Sequence, residues 1–429
     1  MSIRPLNIGI IGLGTVGTGL IKFLLKNKKI IFSKTERDIN ILAICAKNKN
    51  KEREINIHDF KWVEDPFHIT DDKEIDVVVE LIGGEEDPAK SIVEKSLLNK
   101  KHVVTANKAL LSKHGHYLAL IAEEQQVSLN FEAAVAGGIP IIKAIKESLS
   151  ANLISKVYGV INGTCNYILT QMEKEEREYI EVFKKAQQLG FVEKDPTLDV
   201  GGIDTAHKIS LLTACAFGTR INFENVVTKG IQNVSLIDIK NAGSMGYKIK
   251  LMALSSKSED GITQEVEPCL VPKDSIFGKL EGGTNLVMVE GDCSEKTYYM
   301  GPGAGSGPTA SAVAADIIDI AQGRRSNVFG INANDLKLSV NINKDLPSSF
   351  YLRFLLVDKP GTLSQLSSIL GKYQISINRM NQLYHSGKTA PVLIVTHPSS
   401  KDSINSAIKE ISKLEICINE PVVLKIEEF

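Results

Sequence analysis

Two groups of residues in this 429-residue chain have the types and spacing to do chemistry. The first is Gly12-Leu-Gly14-Thr15-Val16-Gly17, which follows an apolar run and precedes a helix-like one. In such a loop one glycine permits the tight turn and the next lets the backbone approach a pyrophosphate. The last lets the helix pack close on the strand. The helix N-terminus then offers free N–H groups and a positive dipole end to phosphates. The pattern therefore reads as a dinucleotide-binding loop. An NAD-dependent protein commonly has an acid at the end of the second strand, for the ribose 2′-hydroxyl. Here that strand runs Ile41-Leu-Ala-Ile-Cys-Ala-Lys47-Asn-Lys49 and ends in lysines. These favour the extra phosphate of NADP, with NAD still possible; the plain alternative is a solvated loop.

The second group is Asp204 and Lys208, four apart in a helical stretch and so on one face. On spacing alone they are an exposed ion pair worth about 0.3–0.5 kcal/mol. Lys108, between a strand-like and a helix-like run, reads on its own as a surface charge at a helix start.

The elements that must position these residues begin with five strand-like runs, Leu6–Ile11, Ile39–Cys45, Asp76–Ile82, His102–Thr105 and Val127–Phe131. Helix-like stretches such as Val16–Asn27 and Pro88–Asn99 separate them. The alternation predicts an α/β fold with a Rossmann-type, doubly wound parallel sheet over residues 1–133, completed by about 305–345. Residues 134–304 mix helices with later strand-like runs such as Lys248–Ser255 and Asn285–Glu290, and read as an inserted α/β domain. A helix is predicted at about Thr309–Gln322, after a glycine-rich loop. The polar stretch Arg324–Ser349 reads as a linker. Residues 350–429 give the order βαββαβ, a ferredoxin-like unit.

Composition narrows the function classes. A formal net charge of -1 gives no reason to expect nucleic acid or an anionic membrane as a partner. None of the six cysteines forms a C-x-x-C pair, so neither a zinc site nor a disulfide framework is signalled. They read as thiols in a reducing compartment, which with the lack of a signal-peptide pattern predicts a cytoplasmic protein. No apolar run reaches the ~18 residues needed to span a bilayer.

A longer pattern is far more specific. The segment Ala186-Gln-Gln-Leu-Gly190-Phe-Val-Glu193-Lys-Asp195-Pro-Thr-Leu-Asp199-Val-Gly-Gly202-Ile-Asp204-Thr-Ala-His-Lys208 resembles the signature of homoserine dehydrogenases. Further landmarks match in order: Glu80-Leu-Ile-Gly-Gly84, Val103-Val-Thr-Ala-Asn-Lys108, Glu132-Ala-Ala-Val-Ala-Gly-Gly-Ile-Pro140, Ile161-Asn-Gly-Thr-Cys-Asn-Tyr-Ile168 and Gly301-Pro-Gly-Ala-Gly305. Leu356-Val-Asp-Lys-Pro-Gly-Thr-Leu363 and Ile375-Ser-Ile377 resemble an ACT domain, an amino-acid-sensing module.

The resemblance implies a monofunctional enzyme of that family, with a catalytic and dimerising middle domain. It implies reversible NAD(P)H-dependent reduction of L-aspartate 4-semialdehyde to L-homoserine, on the way to threonine, methionine and isoleucine. Hydride addition to the aldehyde leaves negative charge on oxygen, which a positioned cation able to give up a proton serves well. Lys208 takes that role in this reading. Asp204 holds Lys208 and supports the substrate with Asp199, and Glu193 takes the substrate ammonium. Lys108 stands between nicotinamide and substrate, and two lysines in one pocket should repel. Gly12, Gly14, Thr15, Val16, Gly17, Lys47, Lys108, Gly190 and Gly305 are the expected cofactor contacts. Glu132, Val135, Gly137 and Ile139 resemble the family's monovalent-cation site for Na+ or K+. A carboxylate that caps the next helix is the plain alternative there. His207 reads as a packing residue.

At the C-terminus, Asp358-Lys-Pro360-Gly361 makes a turn that exposes N–H groups at a helix start, where a carboxylate can bind. Ser376 and Asn378 are expected to meet the ligand side chain. The expected effector is an amino acid, threonine first, and the expected assembly a homodimer or homotetramer. Two other readings stay open: a dehydrogenase for another amino-acid semialdehyde, and an inactive ligand sensor.

Overall fold

The computed structural model describes residues 4–189, 196–338, 347–382 and 387–429. Short apolar runs, buried on both faces, form the first sheet. Its strands are β1 (Leu6–Ile11), β2 (Ile39–Cys45), β3 (Lys61–Val63), β4 (Val77–Glu80), β5 (His102–Thr105) and β6 (Leu129–Asn130). All pair in parallel, in the order β3-β2-β1-β4-β5-β6. Ile8, Ile10, Val77 and Val79 are fully buried at its centre. The strand order reverses between β1 and β4, and in such sheets the crevice at the reversal takes the ligand. β3 was not expected; it is a three-residue edge strand without a periodic signal. The helix Ser306–Ala321 returns from the second half of the chain and packs on the helix Thr15–Lys26.

The second sheet contains β7 (Ile154–Val160), β8 (Val227–Thr228), β9 (Tyr247–Lys257), β10 (Ile262–Pro272), β11 (Thr284–Gly291) and β12 (Glu295–Pro302). The expected C-terminal βαββαβ unit is present, with strands β13 (Ser349–Val357), β14 (Ile377–Gln382), β15 (Thr389–Thr396) and β16 (Val422–Ile426) and helices Thr362–Lys372 and Lys401–Ile411. This unit does not stand apart. β16 pairs with β10 through Cys269–Lys425 and Leu270–Ile426, so one 10-stranded sheet runs through both parts. Beside that seam the fully buried Asp238 accepts Arg353 Nε at 2.6 Å and Arg353 Nη2 at 3.1 Å.

The expected linker also needs correction. Val328, Phe329, Ala333 and Leu336 are buried, and Glu123 accepts the N–H groups of Val328 and Ala333 at 3.1 and 2.7 Å. The described part of that stretch is therefore packed onto the helix Lys108–Glu124. Among the described residues all six cysteines are free, and no helix is long and apolar enough to cross a membrane.

Candidate functional site

The glycine loop occupies the reversal of the strand order. Gly12 has φ +105°, and a Cβ there would fall 2.5 Å from the Leu81 carbonyl oxygen. A Cβ on Gly17 would fall 2.0 Å from Gly12 O, so that glycine lets the helix close onto the turn. At Gly14 a Cβ would meet nothing within 4 Å, and Gly14 and Thr15 are exposed where the helix Thr15–Lys26 begins. Val16 is half-buried behind them. The start of that helix is thus open to solvent, as a phosphate site requires. Gly305, with φ +117°, opens the helix Ser306–Ala321 beside it, and Ser306 Oγ donates to Thr15 O at 3.1 Å.

Lys47 and Lys49 are exposed after β2. Lys49 Nζ lies 5.8 Å from the Trp62 ring centre. A third cation, not anticipated from the sequence, lies in the same loop. Arg53 donates to Leu13 O at 3.3 Å and to Asn48 O at 2.6 Å, and so ties this basic loop to the glycine turn. A guanidinium near the end of the second strand is a recognised partner of a 2′-phosphate.

Across the crevice the lysine pair meets on one carboxylate. Asp204 Oδ2 accepts Lys208 Nζ at 2.7 Å, and Oδ1 faces Lys108 Nζ at 3.1 Å. The Asp204 and Lys208 side chains are only 11% and 12% exposed, against 34% for Lys108. Burial pushes the Asp204 carboxyl up, but the ammonium groups of Lys208 and Lys108 overcome that and hold it well below the usual carboxylate range. The expected repulsion between the lysines is thereby offset by the charge placed between them. Lys208 also donates to Ile161 O at 2.9 Å, so two of its three N–H bonds are engaged and its direction is fixed.

A residue not singled out from the sequence organises this cluster. The Asn162 amide donates to Asp204 Oδ2 at 3.0 Å and to Asp199 Oδ1 at 3.1 Å. Its oxygen accepts Cys165 N at 2.8 Å and caps the helix Gly163–Glu175. Asp199 is thus brought to the site, on the short helix Pro196–Val200. Gly190 and Glu193 lie outside the described residues. His207 turns away and stacks on Phe223 at 4.1 Å between ring centres, with Nδ1 against Ser112 Oγ; it packs, as expected.

At the third place, Glu132 Oε1 and Oε2 accept the N–H groups of Ile142 and Lys143 at 2.9 and 2.8 Å. The carboxylate caps the helical segment that starts at Ile141. Burial, then the nearby Asp316 carboxylate, pushes it up to about 7. Val135, Ala136, Gly137 and Ile139 form the turn before that segment. Ala136 and Gly137 both have φ +55°, and a Cβ on Gly137 would fall 2.5 Å from Gly303 O.

In the C-terminal unit a cavity of about 260 Å³ lies over Asp358, Gly361, Thr362 and Gln382. Ser376 and Asn378 do not line it. The pairing Gln382–Val392 puts the end of β14 at the Pro360-Gly361 turn, while Ile377 pairs with Thr396 at the far end of the strand.

The fold and site together define an oxidoreductase built to bind a nicotinamide dinucleotide. Residues 12–132 match the NAD-binding domain of homoserine dehydrogenase, residues 140–318 match homoserine dehydrogenase itself, and residues 350–416 match the ACT domain. A homoserine dehydrogenase of Neisseria gonorrhoeae is 41% identical, over 98% of each chain. One from Helicobacter pylori is 38% identical, over 99% of each. The crystal structure of a homoserine dehydrogenase from Thiobacillus denitrificans superposes with a TM-score of 0.94 at 36% identity, covering 100% of both chains. The chain belongs to the homoserine dehydrogenase family, whose work lies in amino-acid biosynthesis.

Proposed function

We propose that the chain reduces L-aspartate 4-semialdehyde to L-homoserine reversibly, with NADP(H) preferred over NAD(H), in the supply of threonine, methionine and isoleucine. The observation that carries this reading is the pair of ammonium groups joined by buried Asp204 across the crevice from the glycine loop. The bound nicotinamide supplies or accepts the hydride. In the reduction direction Lys208 gives a proton to the aldehyde oxygen as negative charge develops there. Asp204 holds Lys208 in place and aims it, and Lys108 adds a second positive charge near the reacting carbon. Glu193 takes the substrate ammonium, with Asp199 beside it. Lys47, Lys49 and Arg53 read the 2′-phosphate, and Gly190 and Gly305 complete the cofactor contacts.

A monovalent cation, Na+ or K+, would be held at Glu132, Val135, Gly137 and Ile139. Two successive left-handed residues pinned against Gly303 give the turn the rigidity that such a seat needs, and its carbonyls are hard oxygen ligands. The cavity over Gly361 takes an amino-acid effector, threonine first, that lowers activity. The assembly is a homodimer or homotetramer in the cytoplasm, without nucleic acid or membrane as a partner.

The test is nicotinamide oxidation with aspartate semialdehyde and its reverse with homoserine, using each cofactor. No absorbance change in either direction with either cofactor refutes the reading.

A further inference from the structure

Glu80 ends β4 at the rim of the crevice and is fully buried. Its partners among the described residues are neutral. Oε2 accepts the Thr105 hydroxyl at 2.6 Å, and Oε1 accepts the N–H groups of Ile82 and Gly83 at 2.8 and 3.2 Å. A buried carboxylate without a cation is costly, and packing alone does not call for one. What it offers is several lone pairs at one point, and so several donors can be fixed together.

Those donors lead to both walls of the site. The parallel register sets Glu80 beside Thr105 on β5. Thr105 Oγ accepts Asn107 N at 2.9 Å. Asn107 donates from its amide to Gly84 O at 2.7 Å and accepts Leu110 N at 3.1 Å, which caps the helix that begins with Lys108. The strip Leu81–Gly84 faces the glycine loop, with Leu81 O against Gly12. Gly83 and Gly84 are exposed, with φ +75° and +92°.

We propose that Glu80 is a positioning residue of the hydride-transfer site. Through Thr105 and Asn107 it sets the start of the helix that aims Lys108 at Asp204, and through Ile82 and Gly83 it holds the strip that flanks the nicotinamide. The inference rests on the reading that Lys108 works at the reacting carbon.

The test uses the full-length protein, saturated with cofactor and homoserine. Thr105→Val keeps the volume and removes the hydroxyl; Glu80→Gln keeps the shape and removes one acceptor. Each lowers kcat by about 10- to 100-fold, the scale of a small misplacement of a reacting group. Thr105→Ser, which keeps the hydroxyl, recovers most of the loss. Each harmful change also raises the KM for the cofactor, because the Ile82–Gly84 strip loosens. In a Lys108→Ala background the kcat losses fall to about twofold or less, while the rise in cofactor KM persists. Circular dichroism confirms folding, and if Glu80→Gln does not fold, the Thr105→Val and Thr105→Ser pair decides. A wild-type kcat in Thr105→Val overturns the inference. So does a loss in the Lys108→Ala background as large as in the wild type. A Lys108→Ala enzyme with full kcat refutes instead the role given to Lys108.

Discussion

Asp204→Asn puts a neutral amide of the same shape where a carboxylate now joins two ammonium groups, at 2.7 and 3.1 Å. Removing one partner of a buried ion pair costs about 3–5 kcal/mol, because the charge left behind stays desolvated. Lys108, at 34% exposed, can turn to water; Lys208, at 12%, cannot. One stranded charge rather than two puts the loss near the lower bound, about 3 kcal/mol. For a domain of 150–250 residues this lowers Tm by about 6–12 °C. kcat falls by about 100-fold or more, since Lys208, the proposed proton donor, loses its direction. The pH dependence carries the sign. The folded Asp204 carboxyl titrates below its unfolded value, so its contribution is fully present above an unfolded pKa of about 4 and is lost as pH falls below it. The Tm gap between wild type and variant should therefore be largest near neutrality and shrink below about pH 4. Calorimetry across pH and a nicotinamide absorbance assay test both arms. Equal Tm at neutral pH together with an unchanged kcat refutes the reasoning.

Changing Lys47 and Lys49 together to Glu should raise the KM for NADP much more than that for NAD. Arg53→Ala should do the same more strongly because Arg53 touches the glycine turn at Leu13 O. Equal effects on the two cofactors mean that the loop does not read the 2′-phosphate. Lys250 is buried, bonded to Asn166 Oδ1 at 2.8 Å and to Leu280 O, and burial pushes it down to about 8. From pH 8 to 10.5 the folded chain sheds this proton while the unfolded chain keeps it, so its contribution to stability rises with pH. Against Lys250→Met, denaturant titrations should show the wild type gaining about 3 kcal/mol across that window; parallel curves count against a buried charge. Gln382→Leu, at the rim of the C-terminal cavity, should weaken inhibition by threonine and leave kcat alone. Unaltered inhibition by threonine would place its site elsewhere.

The nucleotide-binding half was legible because its strands are buried on both faces and read as apolar runs, punctuated by glycines whose spacing has a steric cause. Asp204 and Lys208 were legible as a same-face pair, and the long signature singled that pair out as a candidate for chemistry. The residues that hold the site were not legible. Asn162 reaches Asp204 across 42 positions, Glu80 reaches Thr105 across 25, and Arg53 reaches Leu13 across 40. No local period links such partners; strand register and loop closure bring them together. β10 gave no alternating signal because it buries Glu265 and Glu267. β12 gave none of a buried strand because its outer positions are exposed. The seam between β10 and β16 had no sequence signal, as it is made by backbone pairing of residues more than a hundred positions apart.

That seam changes how regulation must be tested. A sensing domain on a loose tether could be cut away and the remainder assayed. Here Glu265 of β10, 9% exposed, is held by Lys401 at 2.6 Å and Lys425 at 3.4 Å, both from the C-terminal unit. Truncation at residue 350 would strand that carboxylate, along with buried Asp238, and would bare the edge of β10. Lost activity in such a truncation would report damage rather than the loss of a sensor. The same strand also leads toward the site. Lys229 N donates to Val266 O of β10 at 2.7 Å, and two residues later Ile231 N donates to Val200 O at 2.9 Å, next to Asp199. A shift of the C-terminal sheet can therefore reach the short helix that carries Asp199 through two backbone hydrogen bonds. Geometry of this kind supplies a route and no preference. The effector must still bind one arrangement better than the other, since equal affinity for both shifts nothing. Point changes inside the cavity, which leave the seam whole, separate those two requirements.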